Sequence, residues 1–324
     1  MKAVVYTKYG PPDVLRLEEV EKPAPKEDEV LVKVHAVAAN PLDWHLMRGK
    51  PFLARLENGL QRPKNTILGA DIAGVVEAVG RNVTQFQLGD EVFGDMSGSG
   101  LGGFAEYIAV PEKVLVPKPD TVSFEAAAAV PVAGVTALQG LRGAGKLESK
   151  QRVLINGASG GVGTFAVQLA KVFGAEVTAV CSTRNLELVR SLGADHTIDY
   201  TQEDFTQNGE RYDLILDAVG NRTVSDYRRA LNPDGTCVVV GFTTLAHLFQ
   251  VLFLGKWASR TGRQKVALMG SAKPNQEDLL YFKELLETGK VVPVIDRCYP
   301  LSETTEAICY LEQGHAQGKV VITV

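Results

Sequence analysis

The chain has 324 residues, 45% of them hydrophobic, which is long for one core and ample for two. Lys and Arg number 34 against 38 Asp and Glu, a formal net charge of −4 that recommends neither a nucleic-acid partner nor an anionic membrane surface. The four cysteines, Cys181, Cys237, Cys298 and Cys309, are widely separated and form no CxxC pair. They argue against a disulfide framework or a zinc knuckle and for a reducing cytoplasm.

The opening MKAVVYTKYGPP alternates like a strand and lacks the continuous apolar segment of an export signal. Short strands punctuated by Gly and Pro follow one another: Ala3 to Tyr6, Leu15 to Glu19, Glu29 to Val37, Ala73 to Val79, Glu91 to Phe93 and Ala105 to Val110. This spacing predicts a β-rich domain over residues 1–122, an all-β barrel or folded sheet. Ala126 to Leu141 is the longest weakly polar stretch, but it contains Pro131, Thr136 and Gln139 and is too short to span a bilayer. It reads as a buried helix, and no membrane span is expected.

From Arg152 the pattern changes. Val153 to Ile155 make an apolar strand, and Gly157, Gly160 and Gly163 of RVLINGASGGVG fall where the helix Thr164 to Gly174 begins. Glycine suits a tight turn that a pyrophosphate must approach closely, and the helix start offers unpaired N–H groups and a positive dipole end to the phosphates. A second strand, Glu176 to Cys181, follows at βαβ distance, as a dinucleotide fingerprint requires. Ser159, Gly160, Gly161, Val162 and Gly163 are therefore candidate cofactor-binding residues. Further strands near His196, Asp213 and Thr236 alternate with helical segments Asn185 to Leu192 and Ser225 to Leu231. The fold class is α/β, with a doubly wound parallel sheet over residues 123–291. Leu279 to Glu287 reads as a further helix and GKVVITV, Gly318 to Val324, as a final strand.

NPLD at Asn40 to Asp43, GADIAGVVEAVG at Gly69 to Gly80, GDEVFG at Gly89 to Gly94, GGFAEY at Gly102 to Tyr107 and ASGGVGTFAVQLAK at Ala158 to Lys171 together carry a family likeness. The chain resembles a medium-chain dehydrogenase/reductase of the quinone oxidoreductase, zeta-crystallin-like branch, over nearly its full length. The resemblance implies a GroES-like catalytic domain over residues 1–122, completed by 292–324, a Rossmann domain over 123–291, and an active site in the cleft between them. It also implies a homodimer joined through the Rossmann edge, for which Lys265 to Met269 is a plausible strand.

At the end of the second Rossmann strand an NAD-specific domain carries an acid, whereas this chain reads Cys181, Ser182, Thr183, Arg184. A hydroxyl and a guanidinium suit a 2′-phosphate, so Ser182 and Arg184 point to NADP(H), although Arg184 at the start of a solvated helix face is the plainer alternative. By resemblance Tyr200 adjoins the adenosine phosphate. Val219, Gly220, Gly241 and Phe242 border the ribose and nicotinamide, and Thr136 matches a nicotinamide-side threonine. Zinc alcohol dehydrogenases, the sister branch, place a Cys where this chain has Asn40 and a His-Glu pair where it has Ala70 and Asp71, so no catalytic metal is expected. His35 reads as a packed or surface histidine.

Without a Lewis acid the expected reaction is NADPH-dependent reduction of a quinone or an α,β-unsaturated carbonyl, a small-molecule acceptor that needs only hydrogen-bond donors and a proton. Asn40 is the candidate for polarising the carbonyl through its amide hydrogens. Asp43 orients Asn40 or caps the following helix. Trp44 and His45 stand where relatives commonly carry a Tyr; Trp44 offers an N–H or a stacking face, His45 donates a proton only if it points into the cleft, and solvent is the default proton source. Met47, Phe52, Phe93, Phe253 and Trp257 are core or pocket residues. Leu245 to Gly262, with Arg260, Arg263 and Lys265 after it or at its end, reads as a helical lid or packing surface. Two other readings stay open: an NADPH-binding protein with little turnover, and a zinc-type alcohol dehydrogenase with displaced ligands.

Overall fold

The computed structural model describes residues 1–52, 54–255 and 263–324. In chain order the elements begin with β1 (Lys2–Val5), β2 (Arg16–Glu19), β3 (Glu29–Ala39), α1 (Pro41–Arg48), α2 (Ala54–Asn58) and β4 (Asp71–Val79). Next come β5 (Glu91–Asp95), β6 (Tyr107–Pro111), β7 (Leu115–Pro117), α3 (Phe124–Ala128), α4 (Pro131–Leu138), β8 (Arg152–Asn156), α5 (Gly161–Val172) and β9 (Glu176–Cys181). They continue through α6 (Leu186–Ser191), β10 (His196–Asp199), β11 (Tyr212–Asp217), α7 (Val224–Ala230), β12 (Leu231–Val239), α8 (Leu245–Gln250) and β13 (Lys265–Leu268). The last are α9 (Gln276–Glu287), β14 (Ile295–Pro300), α10 (Thr304–Glu312) and β15 (Lys319–Thr323).

The chain divides into two compact units, Met1–Val135 with Lys273–Val324, and Thr136–Ala272. These limits differ from boundaries at 122 and 292. Helix α9 belongs to the first unit because Phe282 fills the space beside Gly134, where an added Cβ would meet its ring at 2.8 Å, and because the Gln276 side chain donates to Leu115 O at 2.9 Å.

The first unit is built on the 11-residue strand β3, which pairs antiparallel with β4, β6 and β15. Val30, Val32 and Val34 face its core, and an irregularity in register between Val34 and Ala36 shifts the alternation so that Val37 and Ala39 join the same core. A seven-stranded mixed sheet results, in the order β14-β15-β3-β4-β5-β7 with β6 also on β3. The pairing of β3 decides what meets at its end: Ala38 lies opposite Asp71 and Ala39 opposite Val320, so Asn40, Asp71 and Lys319 converge.

The second unit is a six-stranded sheet in the order β10-β9-β8-β11-β12-β13, with every pair parallel. The order reverses between β8 and β11, and a ligand of a doubly wound sheet binds beyond the carboxyl ends at that switch point. Helix α5 buries Phe165, Ala166, Val167, Leu169 and Ala170 completely. Phe165 and Leu169 each contribute about 2 kcal/mol of burial, and Gly174 at φ 78 ends the segment. No helix among the described residues is long and apolar enough to cross a membrane.

Candidate functional site

In the second unit, the turn after β8 is held down by two backbone bonds, from Gly157 N and Ala158 N to Val180 O at 3.2 and 3.0 Å. Gly157 has φ +80, a left-handed conformation in which a side chain is strained. A Cβ on Gly163 would lie 2.1 Å from Gly157 O, so only glycine lets α5 start this close to the turn. A Cβ on Gly160 would meet only Gly157 O, at 3.5 Å, so internal packing does not require glycine at that position. Gly161 and Val162 open the helix, and their N–H groups are among those a helix start leaves without an intrahelical partner. These features fit the pyrophosphate of a dinucleotide.

At the neighbouring strand end Arg184 is exposed, Tyr200 is 54% exposed and Ser182 is half-buried. The sequence pattern had no acid at the end of β9, yet the structure brings one in from β10. Asp199 lies opposite Cys181, and its carboxylate accepts from the Thr183 hydroxyl at 2.5 Å and from Thr201 N and Oγ1. The Thr183 hydrogen bond holds the Asp199 carboxyl below its ordinary range. Its signal is a register relationship, invisible along the chain.

On the other side of the switch point, Gly220 and Gly241 touch: a Cβ on Gly220 would fall 2.1 Å from Gly241 O, and one on Gly241 would fall 2.4 Å from Ala218 O. Asp217, fully buried, accepts from Val219 N and Gly220 N at 2.7 Å each and from Asn156 Nδ2 at 3.0 Å, while Tyr227 OH donates to its other oxygen at 2.7 Å. The candidate residues Val219, Gly220, Gly241 and Phe242 thus form one pair of interlocked turns.

In the first unit a buried polar network gathers at the end of β3. Asn40 is 2% exposed, Asp71 and Asp43 are fully buried, and Lys319 is 3% exposed. Lys319 Nζ donates to Asn40 Oδ1 at 2.7 Å and to Asp71 Oδ2 at 3.1 Å. Asn40 Nδ2 donates to Ala38 O at 3.1 Å and to Asp71 Oδ2 at 2.9 Å, and Val132 N donates to Asp71 Oδ1 at 2.8 Å. Both amide hydrogens of Asn40 are therefore engaged within the protein. Asp43 accepts from Asn40 N at 2.8 Å and from Gly69 N at 2.9 Å, which ties the start of α1 to the turn before β4. Burial pushes the Asp43 carboxyl up to about 7. Burial raises Asp71 as well. Burial, with the charge of Asp71 directly across the ladder, lifts Asp95 to about 6.

The family model described as the alcohol dehydrogenase GroES-like domain matches residues 26–120, and the one described as a zinc-binding dehydrogenase matches 192–322. The 2-methylene-furan-3-one reductase of Solanum lycopersicum is 41% identical over 99% of this chain and 79% of its own. The chloroplastic NADPH-dependent alkenal/one oxidoreductase of Arabidopsis thaliana is 39% identical over the same shares. The solved quinone oxidoreductase of Coxiella burnetii has a TM-score of 0.87 at 33% identity, covering 100% of this chain and 99% of that one. The chain belongs to the quinone oxidoreductase branch of the medium-chain dehydrogenase/reductase family.

Within that family the zinc-ligand positions of the sister branch fall on the buried network, and a metal does not fit there. Asn40 Oδ1 and Asp71 Oδ2 both face the Lys319 ammonium, and Ala70 offers no donor atom. Among the described residues no group of three or more His, Cys, Asp or Glu side chains is arranged to hold a metal ion. Lys319, which completes the network, was missed because a lysine opening the strand KVVIT reads as an edge residue.

Trp44 is half-buried and stacks on His45 at 3.7 Å between ring centroids. His45 Nδ1 lies 2.8 Å from Lys50 O, a carbonyl that can only accept, so this nitrogen carries a proton, and burial lowers the ring's pKa. His35 stacks on Phe124 at 4.4 Å as a packed histidine. Thr136 is half-buried in α4. Met47 and Phe93 are fully buried core, whereas Phe52 and Phe253 are 63% and 70% exposed. Of the expected segment Leu245 to Gly262, the structure has α8 followed by a π-helical turn, Val251–Gly255; Trp257 and Arg260 lie outside the described residues. Arg263 pairs with Asp234 on the surface.

Proposed function

We propose that this protein reduces the carbon–carbon double bond of an enone or alkenal, or a quinone, using NADPH and no metal. The observation that carries the reading is the Lys319 ammonium lodged among Asn40 and Asp71, where the sister branch keeps its zinc ligands. An ammonium engaged with Asn40 and Asp71 offers no open coordination position of the kind through which a metal binds an alkoxide, and this favours acceptors already poor in electrons.

When bound, NADPH supplies a hydride. The turn 157–163 holds its pyrophosphate, Ser182 and Arg184 its 2′-phosphate beside Tyr200, and the turns of Val219, Gly220, Gly241 and Phe242, with Thr136, its nicotinamide side. Asn40 binds the acceptor's carbonyl oxygen. Of its two amide bonds the one to Ala38 O is the longer, and that hydrogen is the one a substrate oxygen can take over. Asp43 is a positioning residue that fixes the Asn40 backbone. Trp44 offers an aromatic face beside it. His45 has its Nδ1 turned to Lys50 O, and the enolate or phenolate takes its proton from solvent.

We read the assembly as a homodimer, since β13 pairs with β12 alone among the described strands and leaves an edge. A reducing compartment, the cytoplasm, fits four cysteines that are all free. A second reading, NADPH binding with little turnover, draws on the same engagement of both Asn40 amide hydrogens.

Product analysis tests the proposal. A 2-alkenal incubated with the protein and NADPH should yield the saturated aldehyde. Formation of the allylic alcohol would refute double-bond reduction, and NADPH binding without any product from alkenal or quinone would favour the second reading.

A further inference from the structure

Asn185 opens α6, just past the end of β9, and is 5% exposed. Its Nδ2 donates to Ser159 Oγ at 2.8 Å, linking the segment after β9 to the glycine turn after β8. Its Oδ1 is buried and has no hydrogen-bond partner. Native proteins rarely leave a buried amide oxygen unpaired, so the position gives up stability that a small apolar side chain would retain. Reversing the amide does not help: Oδ1 would then accept from Ser159, and two amide hydrogens in place of one oxygen would be left unpaired.

In the observed orientation the amide occupies a lone pair of the Ser159 hydroxyl. The hydroxyl hydrogen must then be offered to a different acceptor. Ser159 is half-buried, in the turn that leads into the start of α5, where the acceptor suited to the helix dipole and the free N–H groups is a phosphate oxygen. We propose that Asn185 is a positioning residue for the coenzyme: it holds Ser159 with its hydroxyl hydrogen directed at a coenzyme phosphate. This rests on the reading of residues 157–163 as the coenzyme turn. It explains why an amide with one end unpaired occupies this place.

A double-mutant cycle on the full-length protein tests it, with dissociation constants for NADPH and NADH measured by titration of nicotinamide fluorescence. Ser159→Ala and Asn185→Ala should each weaken NADPH binding by about five- to tenfold, as expected for loss of one hydrogen bond to a charged group. The double variant should bind no more weakly than Ser159→Ala alone, because both substitutions remove one interaction. The melting temperature of coenzyme-free Asn185→Ala should equal or exceed that of the unaltered protein, which a merely structural asparagine would not allow. Asn185→Leu, closer in volume, provides the same comparison if the alanine variant does not fold.

Equal losses for NADPH and NADH would assign the pyrophosphate, and a loss confined to NADPH the 2′-phosphate; both support the role. Effects that multiply in the double variant, or normal binding by both Asn185 variants while Ser159→Ala binds weakly, would overturn it and leave the coenzyme turn standing. Unchanged binding by Ser159→Ala would overturn the proposal, and Gly160→Val then tells whether the turn reading fails with it, since a branched side chain there should block any phosphate seated on the turn.

Discussion

The ammonium of Lys319 lies 2.7 Å from the side-chain oxygen of Asn40, a residue 279 positions earlier in the chain. With Asp71 it forms a closed set in which every charge is buried and the Asn40 amide has only one orientation open to it.

Removing the cation leaves Asp71 buried and uncompensated. Lys319→Met should lower stability by about 3–5 kcal/mol, the usual cost of breaking a buried pair from one side. Adding Asp71→Asn should recover most of the loss, because the remaining buried group is then neutral. Denaturant titration of both variants checks this; a single variant as stable as the unaltered protein would show that the network is not an ion pair in solution.

The glycine turn permits a sharper comparison. A methyl on Gly163 meets Gly157 O at 2.1 Å, so Gly163→Ala should disturb the turn itself, lowering both the melting temperature and NADPH affinity. Gly160→Ala has room in the protein and should keep its melting temperature within about 2 °C, since surface changes away from tight contacts stay within about 0.5 kcal/mol. It should still lose coenzyme affinity, because its Cβ stands where the phosphate approaches. Calorimetry beside coenzyme titration separates the two effects.

Asp95 makes the protein's stability depend on pH in a definite direction. Its carboxyl is raised from an ordinary 3.8 to about 6, first by burial and then by the charge of Asp71. The folded protein therefore binds a proton that the unfolded chain gives up, and this contribution is fully present below pH 3.8 and lost as the pH rises through 6. Asp95→Asn removes this one contribution, those of Asp43 and Asp71 remaining, while its side-chain oxygen can still accept from Ser97 N. The variant should be more stable than the unaltered protein by about 3 kcal/mol at pH 8, with the gap closing towards pH 4. Unfolding curves at both pH values decide it; a gap that widens on acidification would contradict the shift.

Coenzyme preference should turn on Arg184. Arg184→Glu places a second acid near Asp199 and should weaken NADPH binding about tenfold or more while leaving NADH within about threefold, as loss of a charge-assisted phosphate contact predicts. Dissociation constants for the two coenzymes provide the check.

Much of this architecture was legible along the chain because it rests on local chemistry. The period-two valines of β3, the glycine turn before α5 and the βαβ alternation each announce themselves over a few residues. What stayed hidden depends on register between distant strands. Lys319 meets Asn40 only because Val320 lies opposite Ala39, and Asp199 reaches Thr183 only because it lies opposite Cys181. The Asn40 amide could be named as a donor from the sequence, but that both its hydrogens are engaged follows from the positions of Ala38 and Asp71 in space. The limits of the units moved for a similar reason, since helix α9 has an ordinary amphipathic pattern and its place is decided by Phe282 against Gly134.

The most direct test of metal-free reduction is coenzyme oxidation by chelator-treated protein, with zinc content measured on the same sample. With a 2-alkenal or a quinone, NADPH consumption should be undiminished, and faster than with NADH, at negligible zinc, with no gain when zinc is restored. Loss of turnover on chelation, recovered by adding zinc, would contradict it.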